Sequence, residues 1–272
     1  MITKIGVFGV PRSGTSWLGH IFNSHPDVAL RFQPLFSFGH KNKLSEGSSA
    51  AEIRAFFEKI RCTQDAFTLM ATETQRHYPK FKKAAQPSHI VFKETRYLHI
   101  IENMLDQCGE VKILGIVRNP LAVIASWVSA PKEFDPGWSI IEEWRLASKK
   151  NQGRPEEFFG FDKWKEAAEA FLRFKAKFPQ QFRLVIYDEL NRSPLSVTKE
   201  LFDFCGIEIC DPVREFLIAS KARHEADPYS VFRGKATDNN WQGVLSPAIV
   251  SRVLAELEHT PLDIFLKGRT NA

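Results

Sequence analysis

No apolar run in this 272-residue sequence is long enough to cross a bilayer, and strand-like sequence begins by Lys4, which leaves no room for a secretory leader. A cytoplasmic protein is expected. Cysteine is scarce: Cys62, Cys108, Cys205 and Cys210 are too few and too scattered for a disulfide framework or a zinc site, so reduced thiols are expected and no metal. A strong charge of one sign is also missing. With 37 Lys+Arg against 32 Asp+Glu the net charge is +5, which suits anionic ligands but is too mild to imply nucleic acid. Internal repeats are absent. What remains is an ordinary soluble composition, 43% hydrophobic and 25% charged, in a chain long enough for one large α/β domain or two small ones.

The most informative stretch is Gly9 to Leu18, GVPRSGTSWL, which follows the apolar run Ile5-Gly6-Val7-Phe8. A β-branched and aromatic run, then a turn rich in Gly, Ser and Thr, then helix-compatible sequence is the strand–loop–helix context of a phosphate cradle. Unpaired amides and the positive end of the dipole make such a helix start attractive to an anion. The spacing Gly9, Gly14, Ser16 follows a Walker loop, but Thr15 stands where that motif has its lysine. The strand-like run Val111 to Val117 ends in Arg118, not in the aspartate that would hold magnesium. A phosphate site that works without a metal is expected, and a kinase or nucleotide hydrolase is disfavoured.

Along the chain, strands are expected at Lys4–Phe8, Val28–Phe32, His89–Thr95, Val111–Val117 and Phe182–Tyr187. Helices are expected at Trp17–Asn23, Glu52–Ile60, Gln64–Tyr78, Tyr97–Gln107, from Arg118-Asn119-Pro120 onward, Ser139–Lys150, Asp162–Phe178, Pro194–Cys205 and Pro247–Glu258. Lys41 to Ala50 reads as a mobile surface loop of lid-like composition, and Ser220 to Gln242 as a loop. Near-continuous apolar strands alternating with helices predict a mostly parallel sheet of about five strands, covered on both faces. Ligands of such sheets bind at the carboxyl ends of the strands, which gathers the first loop, Lys93-Glu94, Arg118 and Tyr187-Asp188.

These residues resemble the sulfotransferases that use 3′-phosphoadenosine 5′-phosphosulfate (PAPS). PRSGTSWL is similar to the family's 5′-phosphosulfate loop, and Arg118-Asn119-Pro120 through Ser126-Trp127 to its 3′-phosphate motif. Ile186-Tyr187-Asp188-Glu189-Leu190 resembles the segment beside the adenine, and Phe232-Arg233-Gly234-Lys235 with Trp241 the late basic loop. The motifs run in the family's order from residue 9 to residue 241, so residues 1–272 read as a single sulfotransferase domain. Each motif alone is also compatible with an ordinary turn or a solvated loop; the set is specific. The resemblance implies a P-loop-type three-layer α/β/α fold, PAPS as co-substrate and no metal. It also implies donor contacts from Arg12, Ser13, Gly14, Thr15, Ser16, Trp17, Arg118, Ser126, Tyr187, Arg233, Gly234 and Lys235.

Arg12 is the expected electrostatic partner of the leaving group, because a guanidinium is a poor proton donor. Arginine within RSGTS resembles the branches acting on carbohydrates or protein tyrosine, which implies a small-molecule or glycan hydroxyl as acceptor, possessing no nucleic-acid character. Those branches carry a glutamate where this chain has Gln33, and a glutamine amide takes no proton at neutral pH. Lys93-Glu94 with Arg96 resembles the Lys-acidic-x-Arg stretch of carbohydrate sulfotransferases, which makes Lys93 catalytic and Glu94 the favoured base, although strand alternation sets the two on opposite faces. Gln33 and His20 are candidate acceptor contacts, and His20 and His99 are rival bases. Loss of the glutamate leaves a non-catalytic nucleotide- or glycan-binding protein of the same fold as the alternative.

Overall fold

The computed structural model describes residues 2–232, 234 and 238–266. In chain order β1 (Thr3–Phe8), α1 (Thr15–Asn23), β2 (Val28–Phe32), α2 (Ala50–Arg61), β3 (His89–Glu94), α3 (Ile101–Gln107) and β4 (Val111–Val117) build the first half. The second half holds α4 (Pro120–Val128), α5 (Ile140–Leu146), α6 (Ser148–Asn151), α7 (Phe161–Lys177), β5 (Phe182–Ile186), α8 (Tyr187–Arg192), α9 (Pro194–Cys205), α10 (Asp211–Ala222) and α11 (Pro247–Leu257). Short 3-10 turns lie at Leu98–Ile100, Asn240–Gly243 and Pro261–Leu266, among others.

All strand pairs are parallel, in the order β2-β3-β1-β4-β5. Alternation along each strand loads both faces. Phe8, Phe92, Ile113 and Phe182 point to a core closed by α2, α3, α4, α7 and α11. Ile5, Val7, Val91 and Leu114 point to a second core closed by α1, α8, α9 and α10. The result is the expected three-layer α/β/α arrangement. Each fully buried Phe or Leu of these cores stabilises the fold by about 1.5–3 kcal/mol.

The crossover from β1 runs to β2 through α1 on one face, whereas that from β4 runs to β5 through α4–α7 on the other. Chains leaving the adjacent strands β1 and β4 therefore diverge, and a crevice opens at their carboxyl ends.

Four local expectations fail, each for a tertiary reason. Gln64–Tyr78 is not a helix. Asp65 Oδ1 accepts from Thr68 N (2.7 Å), Met70 is left-handed (φ 55°), and Thr68 O accepts from Phe32 N (2.8 Å), so this segment satisfies the end of the edge strand β2. Ser139–Lys150 is broken at Ala147 (φ 50°), which packs against Trp127, Phe134 and Phe159. Lys41–Ala50 is anchored: Leu44 is buried, Asn42 accepts from Tyr97 Oη (2.8 Å) and Ser48 O accepts from Asn103 (2.8 Å). Helix α10 covers the second core through Val213, Phe216 and Leu217 in a stretch given no element from sequence.

Candidate active site

The loop after β1 begins with Gly9, where a Cβ would lie 2.6 Å from Ile116 O, and turns at Arg12, which adopts φ 72°. Left-handed geometry at a non-glycine residue costs about 1–3 kcal/mol and is characteristic of functional sites. Gly14 then caps α1 with φ 92°, and a Cβ there would meet the Tyr187 ring at 2.6 Å. Leu18 N makes its bond to Gly14 O (3.0 Å), so the amides before it have no partner within the helix. Beneath them Ser13 is fully buried, and its Oγ has no hydrogen-bond partner. A buried, unsatisfied hydroxyl under a turn of free amides fits a phosphate-type anion.

A second cradle lies at the end of β4. Arg118 Nη1 donates to Arg12 O (2.9 Å), its Nε donates to Asp238 Oδ1 (2.8 Å), and its Nη2 bonds the same oxygen. The guanidinium lies 4.7 Å from the Tyr187 ring centroid. Burial opposes the Arg118 charge, but Asp238 and neighbouring groups outweigh that and raise its pKa further. On α4, begun by Pro120 and capped by the Asn119 side chain, Ser126 Oγ accepts from Arg12 Nε at 3.0 Å. Arg12 Nη2 also donates to Pro228 O (2.7 Å), and its Nη1 is 3.9 Å from Glu133 Oε2.

Both cradles open into one cavity of about 480 Å³. Its walls take Arg12, Gly14, Thr15, Ser16 and Trp17 from the first loop, Arg118 and Ser126 from the second, and Tyr187 and Gly234 from later segments. Its other end holds Phe32, Gln33, Tyr78, Lys93, Thr95 and Glu133. Trp17 is fixed by donation from Nε1 to Ser220 Oγ (3.1 Å) and by edge contact with Tyr187. Gln33 is itself left-handed (φ 40°) and donates from Nε2 to Thr95 Oγ1 at 2.6 Å.

The family model described as "Sulfotransferase family" matches residues 5–212. This chain belongs to the sulfotransferase family. It is 24% identical to the carbohydrate sulfotransferase 5 of Mus musculus over 301 residues, covering 89% of this chain and 75% of that one. It is 23% identical to the Homo sapiens carbohydrate sulfotransferase 6, with the same coverage. The fold is that of mouse sulfotransferase SULT7A1, solved with PAP: TM-score 0.56, 15% identity, covering 97% of this chain and 86% of that one.

Within this sulfotransferase the sequence-derived residues separate into two groups. Arg12, Gly14, Thr15, Ser16, Trp17, Gln33, Lys93, Arg118, Ser126, Tyr187 and Gly234 share the cavity wall; Arg233 and Lys235 lie outside the described residues. Ser13, Glu94 and His20 are not on that wall. Alternation along β3 turns Lys93 into the cavity and Glu94 away, where Glu94 Oε1 accepts from Leu35 N (2.8 Å) and Oε2 is buried without a partner. Burial drives the Glu94 carboxyl up and the Lys93 amine down, so each favours its neutral form. His20 is sealed beneath Tyr78 and Phe81, and burial lowers its pKa to about 3. The expectation that Glu94 or His20 meets an acceptor is corrected by these positions.

Among the wall residues that sequence reasoning missed, three carry polar groups into the cavity. Tyr78 was hidden in a segment read as helix, Asp238 in a polar loop, and Glu133 in the stretch Pro131–Trp138, which carries aromatics but no motif. Among the described residues, no helix is long and apolar enough to cross a membrane.

Proposed function

We propose that the protein transfers a sulfuryl group from PAPS to a hydroxyl of a carbohydrate or other small acceptor. The observation that carries this is the pair of anion cradles in a single cavity, one at Gly14–Trp17 and one at Arg118 and Ser126. A nucleotide with a 5′-phosphosulfate and a separate 3′-phosphate requires two such cradles. Supporting it are the PAP in the mouse SULT7A1 structure and the word carbohydrate in the names of the two relatives.

When bound, PAPS supplies an activated sulfuryl group whose bridging oxygen gains charge as it leaves. The amides of the first loop and the Thr15 and Ser16 hydroxyls hold the phosphosulfate. Arg12 meets the developing charge, and one such preorganised donor is typically worth about 3–4 kcal/mol. Arg118 and Ser126 hold the 3′-phosphate beside Gly234, and Tyr187 lies along the adenine. Lys93 and Gln33 orient the acceptor hydroxyl from the opposite end. Glu94 supports that end from behind by fixing Leu35.

Isothermal titration tests the donor. Adenosine 3′,5′-bisphosphate (PAP) is expected to bind more tightly than ADP with magnesium, and a preference for ADP removes the proposal. Screening saccharides and phenols with labelled PAPS then identifies the acceptor class.

A further inference from the structure

Only two of the described cavity-lining side chains are carboxylates, Glu133 and Asp238. Asp238 is committed to Arg118 through two hydrogen bonds from its guanidinium. Glu133 is not committed in this way. Its Oε2 is buried, has no hydrogen-bond partner, and stands 3.9 Å from Arg12 Nη1, beyond the roughly 2.7–2.9 Å of a charge-assisted bond.

Its backbone is held by its surroundings. Glu133 N donates to Ala130 O (2.9 Å), Glu133 O accepts from Trp127 Nε1 (3.3 Å), and the next residue, Phe134, packs edge-on against Trp127. The side chain therefore enters the cavity from a braced turn just after α4, the helix that carries Ser126. The groups facing it are Arg12 from the first loop, Lys93 from β3, Tyr78, Lys150 from α6 and Tyr229, and Lys132 precedes it. The nearest of these is Arg12, whose bonds to Ser126 and Pro228 leave Glu133 Oε2 without a hydrogen bond.

We infer that Glu133 is the general base of the transfer, taking the acceptor's hydroxyl proton on the Oε2 that makes no hydrogen bond. This rests on the sulfuryl-transfer function proposed above. As the acceptor oxygen bonds to sulfur, its proton passes to Glu133; the bond from sulfur to the bridging oxygen breaks, and that oxygen keeps the electron pair beside Arg12. Placing the base next to Arg12 puts proton removal and charge stabilisation on one wall. It also explains how Gln33 and an occluded Glu94 are compatible with turnover.

The test uses the full chain and needs no identified acceptor, because water is the smallest acceptor. Release of sulfate from labelled PAPS is followed from pH 5 to 9 in single turnover, with PAP affinity measured in parallel. Glu133→Gln is expected to lower release by about 10²-fold or more and to abolish the acidic limb of the pH profile, with PAP affinity retained. Glu133→Asp should restore part of the rate and the limb. A Glu133→Gln protein that keeps the limb and stays within about threefold of wild type in rate overturns the inference. So does loss of the limb in His224→Gln instead, since His224 also lines the cavity. Absence of sulfate release by wild type with PAP bound counts against Glu133 alone. Absence of PAP binding by wild type overturns the donor assignment beneath it.

Discussion

Asp238 occupies the guanidinium edge of Arg118, so a carboxylate sits at the cradle assigned to the donor's 3′-phosphate. A phosphate arriving there competes with Asp238 for the same donors. Asp238→Asn is therefore expected to tighten PAP binding by several fold, and to steepen its dependence on salt because more of the Arg118 charge is free. Titration calorimetry at low and high salt checks both. A weaker affinity would mean that Asp238 stays paired with Arg118 in the complex.

In the proposed donor site Ser126 acts twice, by accepting from Arg12 Nε and by lining the cavity beside Arg118. A hydrogen bond to a charged group contributes about 1.5–3 kcal/mol. Ser126→Ala should weaken PAP by about tenfold or more while the unfolding midpoint changes little. Undiminished affinity would remove Ser126 from the 3′-phosphate site.

Gly14→Ala should damage both stability and binding. Its φ of 92° is strained for any side chain, and the new Cβ would lie 2.6 Å from the Tyr187 ring. Together these predict a loss of about 1–3 kcal/mol in denaturant unfolding. Adding Tyr187→Ala relieves the collision but not the backbone strain, so the double variant should recover only part of the stability.

Asp188 offers a pH test. Burial raises its pKa to about 6, helped by the adjacent Asp238 and opposed by Arg118. The folded protein then holds a proton that the unfolded chain, with an ordinary pKa near 3.8, releases first. The resulting stability is fully present below that ordinary value and is lost as pH rises through about 6. Because Asp188 is partly exposed, the change is discounted for screening to about 1 kcal/mol. In Asp188→Asn the unfolding free energy should lack this component of decline between pH 4 and 7, and equal slopes in the two proteins would refute it.

The strands were legible because parallel strands buried on both faces are continuous apolar runs: Val28–Phe32 and Val111–Val117 agree to the residue. The cavity walls around Gly14 and Arg118 were legible because each lies at a strand end, where glycine, arginine and serine have specific backbone or charge duties. Glu94 misled because the resemblance named a residue type and alternation decided which way it points. Glu133 was invisible for the opposite reason: nothing local distinguishes it, and only the packing of Trp127 and Phe134 aims it inward. The segment Gln64–Tyr78 shows the same dependence, its backbone being claimed by the edge of β2 and not by its own next turn.

The cavity wall begins at Pro11 and is finished by Asn240, Trp241 and Val244, with the turn Asn240–Gly243 resting on α4. A chain emerging from the ribosome thus exposes its phosphate loop early and its last wall late. Until that final turn docks, the first loop is in place but the cavity lacks its last wall.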